Sequence, residues 1–152
     1  MSKATEHDQN KVRILIVDDS DNLRIVIRRY LEKAQTREYQ FIFFEAANGQ
    51  EAEKVLQVAA AMNEAIDVVF LDWMMPTMTG KDLLEKIRSI ELFKEYPSVI
   101  MLTAETNSEQ INVCLKYNVA KYVLKPFTQE ILASVLYEVL AGKSDGGIRY
   151  AV

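Results

Sequence analysis

The sequence predicts a doubly wound α/β fold, a five-stranded parallel sheet with helices on both faces. Three observations predict it. Short apolar, β-branched runs alternate with segments whose apolar residues recur at helical spacing, giving five βα units, and such alternation implies parallel strands. The strand runs are apolar almost throughout, as strands buried on both sides are. The length, 152 residues, suits one domain, able to bury roughly 68–70% of its unfolded surface.

The elements follow in order. "VRILIV" (12–17) reads as the first strand. From Asp21 to Lys33, Leu23, Val26, Ile27, Tyr30 and Leu31 mark a helix, with Ser20 or Asp21 as its N-cap. "YQFIFFEA" (39–46) is the second strand, ending near the turn pair Asn48-Gly49. Ala52, Val55, Leu56 and Ala59 mark the second helix, and "IDVVFL" (66–71) the third strand. Gly80 opens a helix carrying Leu83, Leu84, Ile87 and Ile90; "SVIML" (98–102) is the fourth strand. Asn107 or Ser108 caps a fourth helix reaching Tyr117, and Asn118 suits a left-handed C-terminal cap. "KYVL" (121–124) is the fifth strand. After Pro126, Thr128 caps a last helix carrying Ile131, Leu132, Val135, Leu136, Val139 and Leu140. Residues 1–11 lack apolar periodicity and 142–152 are Gly-rich, so both read as flexible ends around a folded unit of 12–141.

Composition excludes several classes. The net charge of -4 comes with no basic block, which argues against direct nucleic-acid binding. The sole cysteine, Cys114, rules out an intramolecular disulfide and a Cys-rich metal site, and its apolar neighbours mark it as a buried small hydrophobe. The only histidine, His7, lies in the polar N-terminal segment and reads as a tail residue. No apolar run approaches the ~18 residues of a membrane helix, and no signal-peptide core is present. A cytoplasmic protein without membrane insertion is the expectation.

In open α/β sheets function collects at the carboxyl ends of the strands. There this sequence places Asp18 and Asp19 after strand one, Asp72 after strand three, Thr103 after strand four and Lys125 after strand five. Singly, Asp18-Asp19-Ser20 reads as a helix cap, Asp72 as a turn residue, Thr103 as a satisfied turn hydroxyl and Lys125 as an ion-pair partner. Jointly, three carboxylates on one sheet edge repel and raise one another's pKa, which a divalent cation relieves. Mg²⁺ suits such a set, since it takes hard oxygen ligands and keeps several waters. A carboxylate nucleophile, a cation and a hydroxyl are also the parts that phosphoryl transfer needs.

The sequence resembles the receiver domains of two-component response regulators. The resemblance rests on "ILIVDDS" (14–20), "VVFLDWMMPTMTG" (68–80), "MLTAE" (101–105) and "YVLKPF" (122–127), in the family's order and covering about residues 11–141. It implies a flavodoxin-like (βα)5 fold with strand order 2-1-3-4-5. It implies that Asp72 accepts a phosphoryl group from a phosphohistidine on a sensor histidine kinase or a histidine phosphotransfer protein. Asp18, Asp19, Asp72 and the backbone carbonyl of Met74 would hold Mg²⁺. Lys125 and Thr103 would contact the phosphoryl group, and Thr103 with Tyr122 would form the switch. Output would be docking onto a downstream protein target through helix 4, strand 5 and helix 5, as in chemotaxis-type single-domain regulators. Asn118 stands where the family often has Gly.

Other readings stand beside this one. The dozen residues after Leu140 are too few for an output domain, which favours a receiver acting alone; the alternative is a receiver cut from a longer regulator. An aspartyl-phosphate phosphatase of the haloacid-dehalogenase kind would carry a second acid two residues after its nucleophile, where this chain has Met74. So the expectation is a signalling protein, with phosphorylation and dephosphorylation of itself as its sole chemistry. A flavin carrier would need a Gly-rich phosphate loop after strand one, where "VDDSDN" would repel a phosphate.

Overall fold

The structure is a computed structural model that describes residues 10–142. His7, nearly all of the N-terminal segment and the tail beyond Gly142 lie outside the described residues.

The five βα units are present. The order is β1 (Lys11–Val17), α1 (Asp21–Glu32), β2 (Gln40–Ala46), α2 (Gly49–Ala61), β3 (Val68–Asp72), α3 (Gly80–Ser89), a 3-10 turn (Glu91–Phe93), β4 (Ser98–Thr103), α4 (Ser108–Lys116), β5 (Lys121–Leu124) and α5 (Gln129–Leu140). All neighbouring strands are parallel, in the order β2-β1-β3-β4-β5.

Alternation along each strand builds two cores. Leu15, Val17, Val69, Leu71, Val99, Met101 and Tyr122 face one side, where α2, α3 and α4 contribute Leu56, Leu83, Ile87 and Cys114. Ile14, Ile16, Phe70, Ile100, Leu102 and Val123 face the other, against Ile27 and Leu31 of α1 and Leu132 and Leu136 of α5. Burial pushes the Cys114 thiol up to about 12, so it stays protonated and packs as the hydrophobe expected from its neighbours.

Short polar side chains set the helix starts, since the first N–H groups of a helix lack partners within it. Ser20, not Asp21, caps α1 by accepting from Leu23 N–H, and Asn107, not Ser108, caps α4. Thr79 and Asp82 form a reciprocal capping box at α3. Asn118 adopts the left-handed conformation expected of it, φ 57°.

Most element boundaries shift by one or two residues from expectation, and the starts of β1 and β3 have a visible cause. β1 begins at Lys11, which pairs with Gln40, so the polar segment gives up its last residue to the sheet. β3 begins at Val68 rather than Ile66. The Asp67 carboxylate takes the Arg13 N–H at 2.8 Å where a strand carbonyl would have stood, and it also accepts from the Tyr96 hydroxyl. The ladder therefore starts two residues later than expected. At its other end β3 includes Asp72, paired with Leu102. The acid is thus part of the strand and inherits its rigidity.

Candidate functional site

Register brings the strand ends together. Val17 lies beside Leu71, Asp72 beside Leu102 and Thr103 beside Leu124, so Asp72 and Thr103, which end β3 and β4, share one edge with the residues that follow β1 and β5. Oxygens of Asp18, Asp19 and Asp72 come within 4.8 Å of one another. Asp18 and Asp72 are buried, at 1% and 4% exposure, while Asp19 is exposed.

Each acid is held differently. Asp18 Oδ1 accepts from Ser20 N–H at 2.8 Å, and the Asp18 carbonyl accepts from the Arg24 guanidinium. Asp18 Oδ2 is buried without a hydrogen bond; Lys125 Nζ lies 3.5 Å from it. Asp72 Oδ1 accepts from Lys125 Nζ at 3.0 Å and from Met74 N–H at 3.3 Å. Desolvation by burial raises the Asp72 pKa, the Lys125 hydrogen bond opposes that, and the Asp18 charge adds to it.

The donor set fits a hard divalent cation. All three side-chain donors are carboxylate oxygens, their crowding is only partly relieved by one ammonium, and an orphaned buried oxygen of Asp18 points to a missing partner. The Met74 side chain is 67% exposed, so this residue meets the site through its backbone, whose N–H already reaches Asp72.

The loop after β3 is fixed from below. Trp73 N–H donates to the Leu102 carbonyl and Gly80 N–H to the Trp73 carbonyl, both at 2.9 Å. A Cβ on Gly80 would stand 2.3 Å from the Asp72 carbonyl oxygen and 2.9 Å from Trp73 Cα, so the glycine lets α3 press against the acid's own backbone. Between them Thr77 has φ 70°, a left-handed conformation that is costly for a β-branched residue. Met75 is buried beneath this loop.

Thr103 is buried, and its hydroxyl engages the backbone of Glu105: it donates to the carbonyl at 3.1 Å and accepts from the N–H at 3.3 Å. The Tyr122 side chain is fully buried, and its hydroxyl donates to the same Glu105 carbonyl at 2.5 Å. Gln110, in the first turn of α4, sits between Tyr122 and Trp73. Hydrogen-bond satisfaction assigns its amide: the carbonyl of Glu105 (2.8 Å) needs a donor and the indole N–H of Trp73 (3.2 Å) an acceptor, so Nε2 donates to Glu105 and to the Tyr122 hydroxyl (2.5 Å) and Oε1 accepts from Trp73 Nε1.

The sequence reading missed Gln110, Gly80's close approach and Thr77. Trp73, the residue after Asp72, is buried in the core cluster that holds residues of α3 and α4.

Comparison with known proteins decides the family. The profile of the response regulator receiver domain matches residues 14–137. The chain belongs to that family. This receiver is 37% identical to the chemotaxis protein CheY1 of Helicobacter pylori over 134 residues, 88% of this chain and all of the relative. It is 35% identical to a CheY homologue of Campylobacter jejuni over 136 residues, 90% of this chain and 98% of the relative. Among solved structures, the chemotaxis response regulator CheY4 of Vibrio cholerae superposes with a TM-score of 0.68 at 30% identity, covering 85% of this receiver and 98% of that chain. A receiver domain protein from Clostridium thermocellum gives 0.69 at 25% identity, covering 87% and 96%. The flavodoxin-like fold and its 2-1-3-4-5 order are thus those of the family, and the receiver is a CheY-like signalling domain. Among the described residues no helix is long and apolar enough to cross a membrane.

Proposed function

We propose that this receiver is a signalling switch set by Mg²⁺-dependent phosphorylation of Asp72, with a phosphohistidine on a sensor kinase or phosphotransfer protein as donor. The observation that carries the reading is the pairing of Asp72 with both a crowded acidic cluster and Lys125.

In the transfer, a carboxylate oxygen of Asp72 attacks phosphorus as the bond to the donor's imidazole nitrogen breaks. The nitrogen leaves with the electron pair, and an acyl phosphate remains on Asp72. Asp72 is suited to attack because its strand and Gly80 fix its position, and both its hydrogen bonds fall on Oδ1. Mg²⁺ would be held by Asp18, Asp19, Asp72 and the Met74 carbonyl, and when bound it balances charge on the carboxylates and phosphoryl oxygens. Lys125 would turn from the carboxylate to a phosphoryl oxygen.

Three donors converge on the Glu105 carbonyl, from Thr103, Tyr122 and Gln110, but a carbonyl oxygen has two lone pairs. A phosphoryl group on Asp72 would draw the Thr103 hydroxyl away and leave two donors for two lone pairs. Thr103 would thus favour the state in which Tyr122 stays inward, and a ligand shifts such an equilibrium only through differential contacts. The altered face of α4, β5 and α5 would dock a downstream protein target.

The test is phosphotransfer from autophosphorylated histidine kinases of the source organism. The reading expects label that requires Mg²⁺ and is released by hydroxylamine, as an acyl phosphate is. Label that persists in EDTA or resists hydroxylamine overturns it.

A further inference from the structure

We propose that Gln110 is a positioning residue that couples the Asp72 loop to Tyr122, a second route beside Thr103. The inference rests on the switch reading above.

Gln110 is the side chain that touches both ends. It is buried at the start of α4. Its Oε1 accepts from the indole of Trp73, the residue joined to Asp72, and its Nε2 donates to the hydroxyl of Tyr122 and the carbonyl of Glu105. A primary amide suits this place because it offers an acceptor and two donors at once, and here all three are used. Each partner belongs to a different segment: Trp73 to the β3–α3 loop, Glu105 to the β4–α4 loop and Tyr122 to β5. A buried polar group cannot lose a partner cheaply. Movement of the Asp72–Trp73 backbone therefore drags the amide, and with it α4 and the Tyr122 ring. The line from Trp73 through Gln110 to Tyr122 does not pass through the Thr103 hydroxyl, although Gln110 and Thr103 share the Glu105 carbonyl as an acceptor.

The route has its own signature because Trp73 is the only tryptophan, so the ¹H–¹⁵N spectrum holds one indole resonance. In the wild-type background Tyr122→Phe should move that resonance. In Gln110→Leu, or in Gln110→Asn, whose shorter side chain cannot span both partners, Tyr122→Phe should leave it in place. A Tyr122→Phe change that moves the indole equally with and without Gln110, or not at all in the wild-type background, overturns the proposal. These spectra need no phosphorylation, so they stand even if the switch reading fails.

A second arm uses acetyl phosphate and Mg²⁺, with intact mass read on the same samples. Gln110→Leu should shrink the α4 shift changes per phosphoryl group gained, as intact mass counts it, Thr103→Ala should keep part of them, and Thr103→Ala/Gln110→Leu should lose those of whatever fraction is phosphorylated. Full changes in the double variant overturn the coupling role. Absence of added mass in the wild type overturns the switch reading instead.

Discussion

Lys125 Nζ lies 3.0 Å from Asp72 Oδ1 although their strands never touch, since β4 runs between β5 and β3. The same ammonium is 3.5 Å from Asp18 Oδ2. It stands in as the counter-charge of the acidic cluster and competes there with any metal ion. Lys125→Met should therefore tighten Mg²⁺ binding, by roughly two- to tenfold given partial screening near the surface, while weakening the response to phosphorylation. Titration of Trp73 fluorescence reads the metal affinity. Unchanged or weaker Mg²⁺ binding would mean that Lys125 does not neutralise the cluster.

Asp72 also costs the fold something when charged. Its pKa is raised from 3.8, chiefly by burial and further by Asp18. A raised carboxylate pKa means that stability is fullest below the unfolded value and declines as pH climbs through the folded one. Without metal, Asp72→Asn should therefore raise the melting temperature at neutral pH, and the gain should vanish in acid near pH 3.8 and below. Thermal melts in EDTA across pH measure this. A variant less stable than wild type at neutral pH would show that the Lys125 ion pair outweighs the burial cost.

The fold and the grouping of polar residues at the strand ends were legible for a physical reason. Parallel strands buried on both faces leave long apolar runs, and their carboxyl ends must share an edge, so Asp18, Asp19, Asp72, Thr103 and Lys125 could be grouped before any coordinates. Gln110 was not legible. A Gln at the start of a helix looks like a surface residue, and only the rotation of α4 turns it inward to Trp73 and Tyr122. Thr77 carried no signal because nothing in its type advertises a positive φ. Gly80 was read as a helix start, and its closeness to the Asp72 backbone depends on how α3 packs. The start of β3 was misplaced because Ile66 is buried like a strand residue, while the Asp67 carboxylate imitates a ladder partner.

Gly80→Ala should disturb Asp72, the proposed acceptor, directly. The added methyl would meet the Asp72 carbonyl at 2.3 Å, and relieving it must shift either α3 or the β3–α3 loop. A loss of about 1–3 kcal/mol in stability is expected from such overpacking, with slower phosphorylation by acetyl phosphate. Urea melts and the time course of mass gain check both. Wild-type values in each would mean that the loop yields freely.

Thr77→Gly should stabilise the protein. Thr77 holds φ 70°, and left-handed backbone costs an L residue roughly 1–2 kcal/mol, partly offset by the entropy glycine loses on folding. The net gain should be up to ~1 kcal/mol, a rise in Tm of about 2–4 °C for a chain of this size. A lower Tm would show that the Thr77 side chain makes up for its backbone.

The central claim is that Asp72 is the phosphoryl acceptor of a metal-assisted site, and intact mass tests it most directly. With acetyl phosphate and Mg²⁺, the wild-type chain should gain one phosphoryl group, and EDTA should prevent the gain. Asp72→Asn should gain nothing under the same conditions. Equal modification of Asp72→Asn and wild type would contradict the account.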